Sequence, residues 1–320
     1  MKTTTVKPAA ETADGAHCPP WSWSFIRPRY WPAWIGLAVL WVLAVLPARW
    51  RMVLGGGLGR LYFRFSRKRR RIALINIGLC FPQWSEAQRL ELAREHFQAA
   101  MRAVLDFPWW WWASEAQLAR RVEVRGAEYY RKAVADGHNV ILLAFHNVAL
   151  EAGIMINYYF PHIGVIKPIR NPVLDWFLTR GRTRFGGRIF DRAAGIRPVI
   201  RAIRAGAGFY YLPDEDLGLR DSVFAPFFGV PAASLTTLGR LARVCDAVVL
   251  PCFARMVRGG LGYEIDLHPP LANFPGPDPY EDTCRMNAAI EEGIRTAPEQ
   301  YWWTSKRFRC RPDGAVSPYD

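Results

Sequence analysis

No two of the six cysteines stand in a CxxC spacing, and none clusters with histidine in a zinc pattern. Thiols so scattered (Cys18, Cys80, Cys245, Cys252, Cys284 and Cys310) in a 320-residue chain read as reduced and cytoplasmic, with no metal and no cofactor expected. A GxSxG elbow is missing, so an α/β-hydrolase triad would lack its serine. The glycine-rich "GGGLG" (Gly55 to Gly59) follows no strand and lacks the Lys-Ser/Thr ending of a phosphate-binding loop, so it reads as a flexible joint. No internal repeat and no shift of composition after residue 120 marks a second domain. Acidic residues are in deficit, 28 Asp and Glu against 42 Lys and Arg, for a formal charge of +14. That imbalance predicts an anionic partner: nucleic acid, a phospholipid surface or a phosphorylated substrate. Apolar residues reach 51%, enough for a large core, and this excludes wholesale disorder.

Aromatics are plentiful, at 14% of the chain with 14 Trp. Trp favours the membrane interface because its ring is apolar and its N–H polar. A nucleic-acid binder could also use stacking aromatics, but it would not need "RPRYWPAWIGLAVLWVLAVLPARWR", so no nucleic acid is expected as partner. Residues 1–24 read as a flexible tail, 25–51 as a membrane-anchoring helix and 52–320 as the main domain. The uncharged run from Trp31 to Leu46 is slightly short of the roughly 20 residues that span a bilayer. Arg27 and Arg29 flank it on one side, Arg49 and Arg51 on the other. Pro47-Ala48-Arg49-Trp50 is no signal-peptide cleavage site. A short spanning helix and a helix lying in the interface both remain open. "SRKRRR" (Ser66 to Arg71) then places the main domain on the cytoplasmic side by the positive-inside rule, and fits an anionic-lipid contact equally well.

Apolar periodicity predicts a helix from Ser85, as N-cap, to Asp106. "PWWWW" (Pro108 to Trp112) follows. Consecutive side chains point in different directions, so some of the four Trp are expected at a membrane or along an acyl chain, or else partly buried under a loop. Strand-like runs cover Val122 to Val124, Val140 to Phe145, Ile163 to Ile166, Phe209 to Leu212, Ala247 to Phe253 and Tyr263 to Leu267. Helical stretches lie between most of them: Ala127 to Ala135, Val148 to Tyr158, Pro172 to Arg184, Ile196 to Ala205, Leu235 to Val244 and Pro279 to Thr296. This alternation predicts an α/β fold, a mixed sheet flanked by helices, behind an N-terminal hydrophobic helix.

Within "VILLAFHNVALEAG" an apolar run stops at His146, and Glu151 follows. On one helix the two would stand about 140° apart and never meet. A histidine at a strand's carboxyl end, followed by a turn into a helix, can instead swing toward Glu151, at the edge where open α/β sheets bind ligands. The pair would then be a general base with a carboxylate fixing its tautomer. The alternative is a buried histidine beside an unrelated surface glutamate.

The stretch "AFHNVALEAG" resembles the HX4D/E block of glycerolipid acyltransferases. More specifically, the chain is similar to the lipid A late (secondary) acyltransferases of Gram-negative bacteria. That likeness runs through "RPRYWPAWIG", "RRRIALINIGLCFP", "NPVLDWFLTRGRTRFGGRI", "GFYYLPDEDLG", "GRLARVCDAVVLP" and "APEQYWWTSKRFRCRPDG", almost the whole chain. Within the family it is closer to the myristoyl-type than to the lauroyl-type enzyme.

The resemblance implies His146 and Glu151 as the catalytic pair, although many relatives carry Asp where this chain has Glu151. It implies His146 deprotonating the 3-hydroxyl of an acyl chain on a phosphorylated lipid A precursor. That oxygen would attack the thioester of acyl–acyl carrier protein with no acyl-enzyme. Arg182, Arg184 and Arg188 match the family's Arg-rich block, for acceptor phosphate or a developing oxyanion. Arg184 is favoured among them, the alternative being a solvated basic helix end. Asp214 and Asp216 of "LPDEDLG" would bind substrate or hold an Arg, or would form an Asx turn. The expected setting is the cytoplasmic face of the inner membrane, in contact with its lipid. Rival readings are an acyltransferase for another lipid or glycolipid, and a non-catalytic protein binding anionic lipid or nucleic acid.

Overall fold

The computed structural model describes residues 15–320, and the first 14 residues of the expected tail lie outside it. His17 is fastened, its backbone N–H donating to Ile189 O at 2.7 Å. The expected anchor divides at Pro47, which cannot continue a helix. Before it runs α1 (Trp31–Val45) and after it α2 (Ala48–Phe65). The stretch Pro28–Val45 is long and apolar enough to cross a membrane by length and composition, with 11% of it buried.

Next come α3 (Arg67–Cys80) and α4 (Glu86–Asp106). α4 starts at a full capping box, in which Ser85 and Gln88 satisfy each other's backbone N–H groups. "GGGLG" is not a joint: it lies inside α2, where a side chain would prevent close helix packing. A Cβ on Gly55 would stand 2.6 Å from Arg102 Cα, and one on Gly59 would stand 2.4 Å from Gln98 Cα. Glycine lets the α2 backbone lie directly on α4.

The Trp run forms the one-turn α5 (Trp109–Trp112), and α6 (Glu115–Arg121) leads into the sheet. β1 (Val122–Arg125), α7 (Ala127–Ala135), β2 (Asn139–Leu143), α8 (Ile156–Tyr159) and β3 (His162–Ile166) follow. Then come α9 (Pro172–Thr183), β4 (Arg188–Asp191), α10 (Arg197–Arg204) and β5 (Gly208–Tyr211). A hairpin of β6 (Ser222–Phe227) and β7 (Val230–Leu235) precedes α11 (Thr237–Cys245), β8 (Ala247–Val257), β9 (Gly262–Leu267) and α12 (Pro279–Thr296).

Seven strands form one mixed sheet in the order β1-β9-β8-β2-β5-β3-β4, antiparallel only between β8 and β9. The expected α/β fold stands. β2 sits mid-sheet, sending Ile141 and Leu143 to one core cluster and Val140 and Leu142 to the other. The separate β6–β7 hairpin and the short β4 were not expected. Pro226 and Pro231 obscure the strand pattern of the hairpin, where they face each other. The helix expected from Val148 to Tyr158 is a loop, then a 3₁₀ turn (Leu150–Met155), then α8.

Candidate active site

Parallel register brings the key pair together. β2 and β5 lie side by side with Leu143 opposite Tyr211, and each strand is followed three residues later by a polar side chain, His146 and Asp214. His146 Nδ1 hydrogen-bonds Asp214 Oδ1 at 2.8 Å, and the His146 backbone N–H donates to the same carboxylate at 3.1 and 3.0 Å. Asp214 is buried, whereas the His146 side chain is 32% exposed to the space above the sheet edge. Burial draws the imidazole pKa down, but the charge and hydrogen bond of Asp214, with help from Glu215, outweigh it and raise it to about 9. Burial likewise opposes the ionisation of Asp214, and His146 overcomes it, holding that carboxyl below its ordinary value. With Nδ1–H donated to Asp214, the neutral ring carries its lone pair on Nε2.

The loop after His146 is held firmly. Asn147 Nδ2 donates to Ala254 O at 2.9 Å, and its Oδ1 accepts from Ala149 N–H at 2.8 Å. The Trp302 backbone N–H donates to His146 O at 3.1 Å. The loop therefore never turns Glu151 back toward His146. Glu151 is the second residue of the 3₁₀ turn and binds Arg182, whose Nε donates to Oε2 at 3.2 Å while Nη2 reaches Oε1. The expected His146–Glu151 contact is thus replaced by two pairs, His146 with Asp214 and Glu151 with Arg182.

A cleft of about 390 Å³ opens over this edge, lined by His146, Glu151 and Arg182, with Asp214 buried behind the imidazole. Lys167, Arg182, Arg188 and Arg192 make it basic, while Leu150, Val165, Ile166, Ile189 and Leu212 supply apolar wall. Lys167 follows β3 and Arg192 follows β4, so the edge itself gathers the charge. His162, also in the lining, is buried, and burial lowers its pKa to about 4. It is therefore neutral, and its Nδ1 has no hydrogen-bond partner among the described residues. No group of three or more His, Cys, Asp or Glu that could hold a metal ion occurs among the described residues.

Two expected substrate contacts fall elsewhere. Arg184 faces away from the cleft, its Nη1 donating to Trp110 O at 3.0 Å and its Nη2 to Ala113 O at 2.7 Å. Those are the free carbonyls at the end of α5, so the side chain serves as its C-terminal cap. Asp216 forms the Asx turn, Oδ1 accepting from Gly218 N–H at 3.1 Å, and its Oδ2 accepts from Cys310 N–H at 2.6 Å. It secures the C-terminal segment. The Trp run does not line the cleft: Trp109 and Trp110 are buried and Trp111 and Trp112 half-buried. Trp111 supports α9 instead, since a Cβ on Gly181 would stand 2.5 Å from its Cδ1. The next residue is Arg182. Lys167, Arg192, Asn147 and His162 were missed by the sequence reading. Of these, Lys167 had the clearest signal, a cation just past a strand end.

Comparison with known proteins finds matches over most of the chain. The profile of a family described as "Bacterial lipid A biosynthesis acyltransferase" matches residues 18–310. The chain is 36% identical to the lipid A biosynthesis lauroyltransferase of Escherichia coli over 303 residues, 94% of this chain and 99% of that protein. It is 38% identical to a lipid A biosynthesis acyltransferase of Haemophilus influenzae over 295 residues, 92% of each chain. Identity to the E. coli lipid A biosynthesis myristoyltransferase is 34% over 308 residues, 96% of this chain and 95% of that protein. The leaning toward a myristoyl type finds no support in these values.

Proposed function

The chain belongs to the bacterial lipid A biosynthesis acyltransferase family, and from that premise we propose that it moves a fatty acyl group from acyl–acyl carrier protein to the hydroxyl of a 3-hydroxyacyl chain on a lipid A precursor. His146 Nε2 takes the proton of that hydroxyl, and the oxygen attacks the thioester carbonyl. The tetrahedral oxyanion collapses, the C–S bond breaks, and the proton on His146 passes to the departing thiolate. No side chain carries the acyl group. Asp214 holds the ring and stabilises the imidazolium, a role previously expected of Glu151.

Glu151 holds Arg182 in the cleft, ready to meet the oxyanion or an acceptor phosphate. Lys167, Arg188 and Arg192 receive the phosphorylated headgroup, and the apolar wall receives acyl chain. Positive charge on this scale also suits an acidic carrier protein. The anchor in residues 25–51 keeps the enzyme at the cytoplasmic face of the inner membrane, in contact with its lipid.

One observation carries the reading: a His–Asp pair opening into a cleft that is basic on one part and apolar on another. Incubating purified protein with acyl carrier thioester and a lipid A precursor tests it. An ester should form, and His146→Ala should abolish it. Full activity in that variant would contradict the mechanism, and ester formed only on another lipid or glycolipid would assign a different acceptor.

A further inference from the structure

Both ends of the apolar helix α1 are fastened to the domain that carries His146. Upstream, His17 Nε2 bonds Asp175 at 2.7 Å, while Trp21, Phe25 and Trp34 pack on Trp176 of α9. Downstream, the buried Arg51 guanidinium donates to Ala44 O and Leu46 O at the end of α1 and to Asp106 of α4. The apolar helical stretch Pro28–Val45, 18 residues, is about 27 Å long at 1.5 Å each, close to a hydrocarbon core of about 30 Å. A helix crossing the bilayer would leave its ends on opposite sides. Here both ends meet one domain.

α2 continues the exposed surface. Trp50, Val53, Leu54, Leu58, Leu61 and Phe65 are all exposed, Phe65 by 71%, and their spacing places them on one stripe. Met52, Gly55, Gly56 and Gly59 on the opposite face are buried. By the helical period Arg49, Arg60 and Arg64 fall within about 60° of one another, along one margin of the stripe. An apolar stripe edged by arginine is the chemistry of a helix lying on anionic lipid. The α1 face bearing Ile35, Val39 and Val42 is exposed in the same way. Arg51 locks the two helices together.

We infer that α1 and α2 lie in the plane of one leaflet, seating the protein on an anionic lipid surface without crossing it. This rests on the membrane attachment proposed above and not on the chemistry at His146. Two measurements on the full chain test it. The first uses a membrane-impermeant maleimide on inverted inner-membrane vesicles and on spheroplasts. Cys18 precedes α1 and is exposed, and Val316→Cys adds a reporter on the catalytic domain, at a side chain 81% exposed. Both thiols should label in inverted vesicles and neither in spheroplasts. Cys18 labelled only from the spheroplast side would overturn the in-plane arrangement and leave attachment standing.

The second is sedimentation with vesicles of phosphatidylethanolamine and phosphatidylglycerol. Leu58→Glu, Leu61→Glu and Phe65→Glu should each weaken partition by about tenfold or more, with acyl transfer to detergent-dispersed acceptor retained. Unchanged partition overturns the assignment of α2, including the case where the variants instead split a dimer and reveal the stripe as an interface between copies. Parent protein that does not sediment at all overturns attachment itself.

Discussion

Asp106 and Asp214 are both buried carboxylates held by cationic side chains, and their surroundings give them different roles. Asp106 accepts from Arg51 Nε at 2.8 Å, from Arg121 Nη2 at 3.0 Å and from the Tyr263 hydroxyl at 2.6 Å. Two guanidiniums surround it, a side chain that proteins do not deprotonate, and Asp106 itself is fully buried. Asp214 holds an imidazole, which can lose its charge, and the far side of that ring opens into a cleft. A carboxylate with permanent partners can only join elements, here α2, α4, α6 and β9. One with a titratable partner at a cavity can move a proton.

The largest effect should come from the cleft: His146→Ala is expected to cost acyl transfer about a thousandfold or more, and some stability as well, because the buried Asp214 carboxylate loses its partner. Asp106→Asn should cost stability alone. The buried Arg51 and the half-buried Arg121 would lose their counter-charge, costing about 3–5 kcal/mol of stability in urea unfolding, while activity per folded molecule stays near the parent's. A similar loss of activity at Asp106 would erase the contrast between the two sites.

Glu151→Gln sharpens it within the cleft. Arg182 would lose a charge-assisted partner worth about 1.5–3 kcal/mol, so kcat/KM should fall by about ten- to a hundredfold without moving its pH dependence. Gly181→Ala acts through neighbours. Its Cβ would meet Trp111 at 2.5 Å, shifting Arg182 and raising KM for the acceptor severalfold, and Trp111→Phe in the same chain should restore part of the loss.

The contrast also explains what the sequence could show. His146 was legible because it ends an apolar run, and the strand before Asp214 was expected at Phe209 to Leu212. Their meeting depends on the register of two strands that pair only in three dimensions, so Glu151, near in sequence, took the part. Asp106 left no signal at all, since its partners lie 55, 15 and 157 residues away. Most strands and helices were readable from period and caps. The α2 glycines were misread because a close helix crossing and a flexible joint use the same residue. Arg184 was misjudged for a related reason: its position in the Arg-rich block says nothing about which neighbouring carbonyls lie within reach.

That Asp214, and not Glu151, governs His146 is tested most directly by the pH dependence of kcat/KM in Asp214→Asn beside Glu151→Gln. In the parent, kcat/KM should rise with pH as His146 loses its proton, levelling near its pKa of about 9. Without the Asp214 charge, burial is opposed only by the weaker pull of Glu215, so in Asp214→Asn that limb should move to lower pH, at a reduced maximum rate. Glu151→Gln should leave the limb where it is. A limb that stays in place in Asp214→Asn and moves in Glu151→Gln would contradict the account.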